Sequence, residues 1–545
     1  MSTTPFENQK INTRQLAEQL VNLHGSAFSP LMHPEGHLEG VLVFGPPGIG
    51  KTQSSMEAAR EIAEDAGSEL VIYKPGIRPN PNATKPQTLF VHMSMAGMTS
   101  GGVLGFPTVS ANDKEKSDPE KRRFVSQQVI PEIWRAAKEF DQAIYLFDEI
   151  THVISQEALL SLLSEGFYGE TELAKRTLFI ATANEGVSDG TMQQKLSTAF
   201  RNRFTSYYIR GDVKQWRKDF ANKTVHPALL AYTSMYPDRF EAWKTPEHNL
   251  LNAPTLRGVT LMSDALTFFE ARNFRKRTED GKLDPRGEWK EVAWTPDHTS
   301  QLSRLAFGRL GHEAYALDFV NMYELAYKTV MPEIQKAIAG KVDTITDDFK
   351  RKLNYDTEGY VSQQKSALSG KSSAEKLKES QNDIAIAFTY VDYTPRMFLD
   401  ALLNLPNNPR VLEHARKSYP GLKAKMQANG QKVPDWKEGE PCPGAILRTY
   451  GHALLDNFFK GIMLLPTNMQ MMAIEHLREL SSTEETKKVL TAFHNAESNK
   501  NEDVVLTMLL QLLTQKQKDP TYERLYKAFH QNMQAVSVIN ELGAS

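Results

Sequence analysis

The sequence predicts an α/β protein: a doubly wound parallel sheet, then helices to the C-terminus. Three observations predict it. An eight-residue glycine-rich loop, Gly45-Pro46-Pro47-Gly48-Ile49-Gly50-Lys51-Thr52, fits G-x-x-x-x-G-K-[ST] at every required position. Apolar strand-like runs alternate with helix-like segments from Leu38 to Gly211. Beyond Gly211 the strand pattern stops.

In chain order, Ile11 to His24 reads as an amphipathic helix with Leu16, Leu20 and Leu23 on one side. Strands are predicted at Gly40–Phe44, Glu69–Tyr73, Ala143–Phe147, Thr177–Ala181 and Thr205–Ile209. The loop follows the first of these and opens a helix, Gln53 to Ala66. That is the setting in which backbone N–H groups and the helix dipole hold a polyphosphate. Val213 to Gly340 is helical, broken near Pro246–Pro254 and Thr278–Pro296. Residues 346–383, rich in Lys, Ser and Gln, read as a linker or surface segment. Helices resume at Ile384, with a capping box at Ser482-x-x-Glu485, a helix start at Asp519-Pro520 and a stop at Gly543. The domains expected are 1–37, 38–211, 212–345, the linker, and 384–545.

Bulk composition excludes several classes. Lys+Arg 64 against Asp+Glu 66 leaves a net charge of −2, which is not the footprint of a strongly basic nucleic-acid binder. Basic clusters at Arg272–Lys282 and Lys350–Lys352 read as solvated faces. One cysteine, Cys442, excludes an internal disulfide framework and any multi-cysteine metal site. Met1 to Lys10 lacks a signal-peptide core, and no apolar run is long enough to span a bilayer. A soluble, cytoplasmic protein is expected.

The chemistry follows from what accompanies the loop. Lys51 is placed to reach β- and γ-phosphates, and Thr52 to hold Mg²⁺. Ala143 to Phe147 leads into two carboxylates: Asp148, suited to hold Mg²⁺, and Glu149, suited to orient and deprotonate an attacking water. The strand at Thr177 ends at Asn184, which suits holding that water or touching the γ-phosphate, although Asn after a strand is often only a turn residue. In Leu196–Phe204 an arginine at a subunit border would stabilise charge in a neighbour's site; a surface or capping role is the plainer alternative.

This order of motifs resembles the AAA+ ATPases, and its details resemble the MoxR branch. Ser100-Gly101-Gly102-Val103-Leu104-Gly105-Phe106-Pro107 is similar to that branch's Gly-Pro segment. Arg201-Asn202-Arg203-Phe204 is similar to its Asn-Arg-Phe, which assigns the arginine finger to Arg203. Ala253-Pro254-Thr255-Leu256-Arg257 resembles the lid motif with the sensor 2 arginine, with Leu256 where a proline is usual; Tyr393-Thr394-Pro395-Arg396 is a rival string. The resemblance runs from about Leu38 to about Gln335, through Trp216, His226-Pro227 and Gly311-His312-Glu313. It implies a sheet with a helical lid, ATP and Mg²⁺ as cofactors, a homo-oligomeric ring, most often a hexamer, and a chaperone-like role with a von Willebrand A domain partner. A nucleic-acid motor or loader and an ATP-binding assembly scaffold are the alternatives.

The spacing from Lys51 to Asp148 exceeds the roughly two βα units of ~30 residues that a minimal fold needs. The excess is assigned to an insertion over 85–128, first rich in Met93, Met95 and Met98, then charged at Asp113–Arg123. It reads either as a partner-contacting segment or as a solvated loop with some buried Met. For 384–545, partner docking, oligomerisation and an autoinhibitory cap are all open. Core packing is the commoner use of its apolar run Phe458, Phe459, Met463, Leu464, Met469, Met471 and Met472.

Overall fold

The computed structural model describes residues 10–96, 98, 106–111, 124–129, 131–152, 159, 162–163, 166–168, 171–184, 196–241, 254–278, 280–354, 374–430, 436, 442–483 and 486. They belong to two compact units: Met1–Trp216 with Phe240–Arg257, and Arg217–Arg239 with Gly258–Ser545.

The first unit is built on a parallel sheet of six strands. In chain order these are β1 (His37–Phe44), β2 (Glu69–Ile72), β3 (Gln87–Ser94), β6 (Gln142–Asp148), β9 (Arg176–Ala183) and β10 (Thr205–Tyr208). Between them β4 (Phe106–Ala111) pairs antiparallel with β5 (Phe124–Val129), and β7 (Phe167–Tyr168) with β8 (Thr171–Glu172). The sheet order is β10-β1-β9-β6-β3-β2. Its central strands are buried on both faces, so they read as continuous apolar runs. Along β6, Ala143, Tyr145 and Phe147 enter one core, while Ile144 and Leu146 enter the other. The five strands expected from sequence are all present, with ends within a few residues.

The strand at Gln87–Ser94 was not expected. It lies inside the stretch assigned to an insertion, and it pairs with both β2 and β6. Met93 and Met95 are buried in the sheet's core. Any insertion therefore begins after Ser94. Thr88, His92 and Ser94 interrupt the apolar run, which hid a two-sided strand in the sequence. The charged run Asp113–Arg123, residues 99–105 and the helix signals at Glu485, Asp519-Pro520 and Gly543 lie outside the described residues.

Helix α1 (Thr13–His24) starts in a reciprocal capping box between Asn12 and Gln15. Its Leu16 and Leu20 are buried in the core that also holds Ala58, Ala59 and Ile62 of α2 (Lys51–Asp65). The phosphate-loop helix is thus packed between α1 and the sheet.

The second unit is helical among its described residues, and helices from both 212–345 and 384–545 contribute to it. The long helix Ala374–Asn404 packs against Pro227–Met235, Gly444–Ile462 and Thr467–Ser481. Phe458, Phe459 and Met469 are buried there, so this part of the C-terminal apolar run is core. The expected linker opens with a helix, Asp347–Leu353, N-capped by Thr346. Two charge clusters are buried in this unit. Arg217 forms a two-pronged pair with Asp392. Glu270 accepts from Tyr323 Oη at 2.7 Å and Tyr393 Oη at 3.0 Å, with His226 Nε2 also at 3.0 Å. Burial alone would raise the Glu270 pKa; His226, Arg275 and Tyr323 outweigh it and bring it down to about 2. No helix among the described residues is long and apolar enough to cross a membrane.

Candidate nucleotide site

The site forms at the carboxyl ends of β1, β6 and β9, where a parallel sheet leaves room for a ligand. β1 runs into the loop Gly45–Gly50. Gly48 and Gly50 take φ of 77° and 98°, which favours glycine. A Cβ on Gly45 would come within 2.7 Å of Ile209, and one on Gly48 within 2.8 Å of Thr255. The loop then opens α2, whose N-cap Gly50 has no side chain to satisfy the first N–H groups.

Lys51, only 8% exposed, turns its ammonium back into the loop. Nζ donates to Gly45 O at 2.6 Å, Pro46 O at 2.8 Å and Asn184 Oδ1 at 2.8 Å. Thr52 Oγ1 donates to Asp148 Oδ2 at 3.0 Å. Asp148 Oδ1 accepts from Thr182 Oγ1 at 2.5 Å, and His92 Nε2 lies 3.5 Å from Oδ2. Partial burial would raise the Asp148 pKa; the hydrogen bonds from His92, Thr182 and Thr52 overcome this and lower it to about 2. Glu149, next in the chain, is exposed and holds φ at 58°, the only positive φ of a non-glycine among the described residues.

Lys51, Thr52, Asp148, Glu149 and Asn184 are therefore brought together. Arg257 reaches the same loop through its backbone: its N–H donates to Gly48 O at 3.3 Å, and its side chain is exposed. The rival Arg396 pairs with Asp400 at 3.4 Å inside the second unit. Arg203 lies on an exposed turn after Thr198–Arg201. Its Nη1 donates to Ala199 O at 2.7 Å. The sequence reading missed His92 and Thr182, which both contact Asp148. Each is a polar residue on a largely apolar strand, two places before Ser94 or Asn184.

No curated protein matches the chain. Among solved structures, a mutant of Thermotoga maritima RuvB is similar at 13% identity and TM-score 0.23, covering 68% of this chain and 86% of that one. C. elegans PCH-2 is similar at 14% identity and TM-score 0.24, covering 58% and 70%. The family model described as ATPase family associated with various cellular activities (AAA) matches residues 41–211. That span runs from within β1 to just past β10. It holds the loop, both carboxylates, Asn184 and Arg203.

Proposed function

We propose that this chain hydrolyses ATP in a homo-oligomeric ring, as a MoxR-like AAA+ protein that remodels or activates a protein partner in the cytoplasm. The convergence of Lys51, Asp148–Glu149 and Asn184 from three separate segments at one loop carries the reading. The residues fit ATP and Mg²⁺. The donor set beside Asp148 is hard oxygen, from Thr52 and a carboxylate held well below its usual pKa. The loop is glycine where a Cβ would close it.

In this reading the backbone of Gly45 to Thr52 cradles the phosphates and Lys51 neutralises their charge. Thr52 and Asp148 hold Mg²⁺, which when bound would offset charge developing on the phosphate oxygens. Glu149, exposed beside the metal ligand, takes the proton of the attacking water, and Asn184 orients that water. Arg203, exposed on the turn before β10, acts on the adjacent subunit's site. Arg257 couples the helices after 212, read as the lid, to the loop. Residues 384–545 are read as the helical region that follows the lid in the chain and shares its compact unit. A von Willebrand A domain protein is the partner class that the MoxR resemblance implies.

The test is a pair of variants. Glu149→Gln should bind ATP and barely hydrolyse it, and Lys51→Ala should lose binding. Near-normal turnover by Glu149→Gln would remove Glu149 as the base. A pull-down with ATP-loaded Glu149→Gln would then name the client.

A further inference from the structure

Thr182 is fully buried on β9, in register with Val43 of β1. A threonine hydroxyl has one proton to give and two lone pairs. The Glu149 N–H can only donate, so Thr182 Oγ1 accepts from it, at 3.2 Å. The one hydroxyl proton then goes to Asp148 Oδ1 at 2.5 Å. This makes the two oxygens of Asp148 inequivalent. Oδ1 is tied back to β9, while Oδ2 faces Thr52 Oγ1 at 3.0 Å. The same hydroxyl fixes the backbone of Glu149, whose φ of 58° persists only where surroundings over-determine it.

We propose that Thr182 is a positioning residue for hydrolysis. Through one hydroxyl it ties back Asp148 Oδ1, leaving Oδ2, on the Thr52 side, as the oxygen that would hold Mg²⁺, and it holds Glu149 in the left-handed turn that presents its carboxylate. This rests on the hydrolase reading above. A threonine that merely fills β9 would be replaced by isosteric valine without loss.

The test compares Thr182→Val, Thr182→Ala and Thr182→Ser with the full-length wild type. The readouts are ATP turnover and the affinity for fluorescent mant-ADP with and without Mg²⁺. Without the hydroxyl, kcat should fall about 10- to 100-fold, the scale of one charge-assisted hydrogen bond. The Mg²⁺-dependent gain in mant-ADP affinity should shrink by about tenfold on the same basis, with Mg²⁺-free affinity kept. Serine should restore both. If valine matches wild type, or serine is as impaired as valine, the proposal is overturned. Should valine fail to fold in a melting assay, the alanine–serine comparison decides in the same way. Wild type that binds no mant-ADP would overturn the nucleotide reading itself, and the role of Thr182 with it. Wild type that binds and turns over beside an unaffected valine variant would overturn only the role of Thr182.

Discussion

Lys51 Nζ donates to Asn184 Oδ1 at 2.8 Å, joining two motifs 133 residues apart. The contact ties the phosphate loop to the end of β9. A buried ammonium is tolerated only with acceptors of this kind, and Asn184 supplies one from outside the loop. Asn184→Ala should therefore leave nucleotide affinity within a few fold and lower kcat by about 10- to 100-fold, since the residue is assigned to the water and not to the phosphates. Lys51→Ala should instead abolish binding. Fluorescent-nucleotide titration beside steady-state turnover separates the two, and an Asn184→Ala enzyme with wild-type kcat would exclude the residue from the chemistry.

Glu149 should show a trade between stability and activity. At φ 58° a non-glycine side chain carries strain on the order of 1 kcal/mol, which glycine relieves. Glu149→Gly should therefore unfold at higher denaturant, with a gain of up to about 1 kcal/mol, while hydrolysis is lost. Glu149→Gln keeps the backbone strain and should leave stability nearly unchanged. A glycine variant less stable than wild type would show that the turn is not strained.

The legibility of this site followed its physics. Asp148 and Glu149 stand at the end of an unbroken apolar strand, and Lys51 sits in a loop whose residue types are demanded position by position. Both are local patterns. β3 was lost because Thr88, His92 and Ser94 punctuate its apolar residues, and because its partners β2 and β6 are distant in sequence. Thr182 was lost for a similar reason: nothing in Ala181-Thr182-Ala183-Asn184 says that one hydroxyl bridges two neighbouring acids. The sharing of one helical unit between 212–345 and 384–545 rests on pairs such as Arg217 with Asp392, which no local pattern encodes.

Gly48 should be the least replaceable glycine of the loop. Its φ of 77° disfavours any side chain, and a Cβ would meet the Thr255 Cβ at 2.8 Å. Gly67 has a similar φ, 68°, with nothing within 4 Å of its would-be Cβ. Gly67→Ala should then cost about 1 kcal/mol from backbone strain alone, and Gly48→Ala about 1–3 kcal/mol more from overpacking, with weaker nucleotide binding. Adding Thr255→Gly should recover part of the Gly48→Ala loss in a double-mutant cycle. Equal costs at both glycines would mean that Thr255 does not press on the loop.

His476 gives the helical unit a pH signature. Its ring is 1% exposed, and Nε2 lies 3.0 Å from Asn222 O. Burial first, and the charge of Arg217 second, lower its pKa from 6.5 to about 3. Folded, the ring stays neutral below pH 6.5; unfolded, it takes up a proton. Its contribution is therefore fully present above pH 6.5 and is lost as pH falls toward 3, by up to about 1.4 kcal/mol per unit. His476→Asn should remove that slope, as urea unfolding of wild type and variant at pH 7 and pH 5 would measure. Identical slopes would assign the acid sensitivity to other groups.

Arg203 is the residue through which one subunit would serve another. It is exposed on the turn before β10, and Nη1 donates to Ala199 O, at the N-terminal end of its own short helix. Substitutions of exposed turn residues usually cost little, so Arg203→Ala should change stability by less than about 0.5 kcal/mol. Turnover should nonetheless fall by about 10³-fold or more, the range of an arginine finger. Glu149→Gln should be equally inactive alone. Mixing the two restores interfaces at which an intact Glu149 from one subunit meets an intact Arg203 from its neighbour. Hydrolysis should therefore reappear and peak at an intermediate ratio. If no ratio restores it although size-exclusion chromatography shows mixed assemblies, Arg203 does not act across the subunit border.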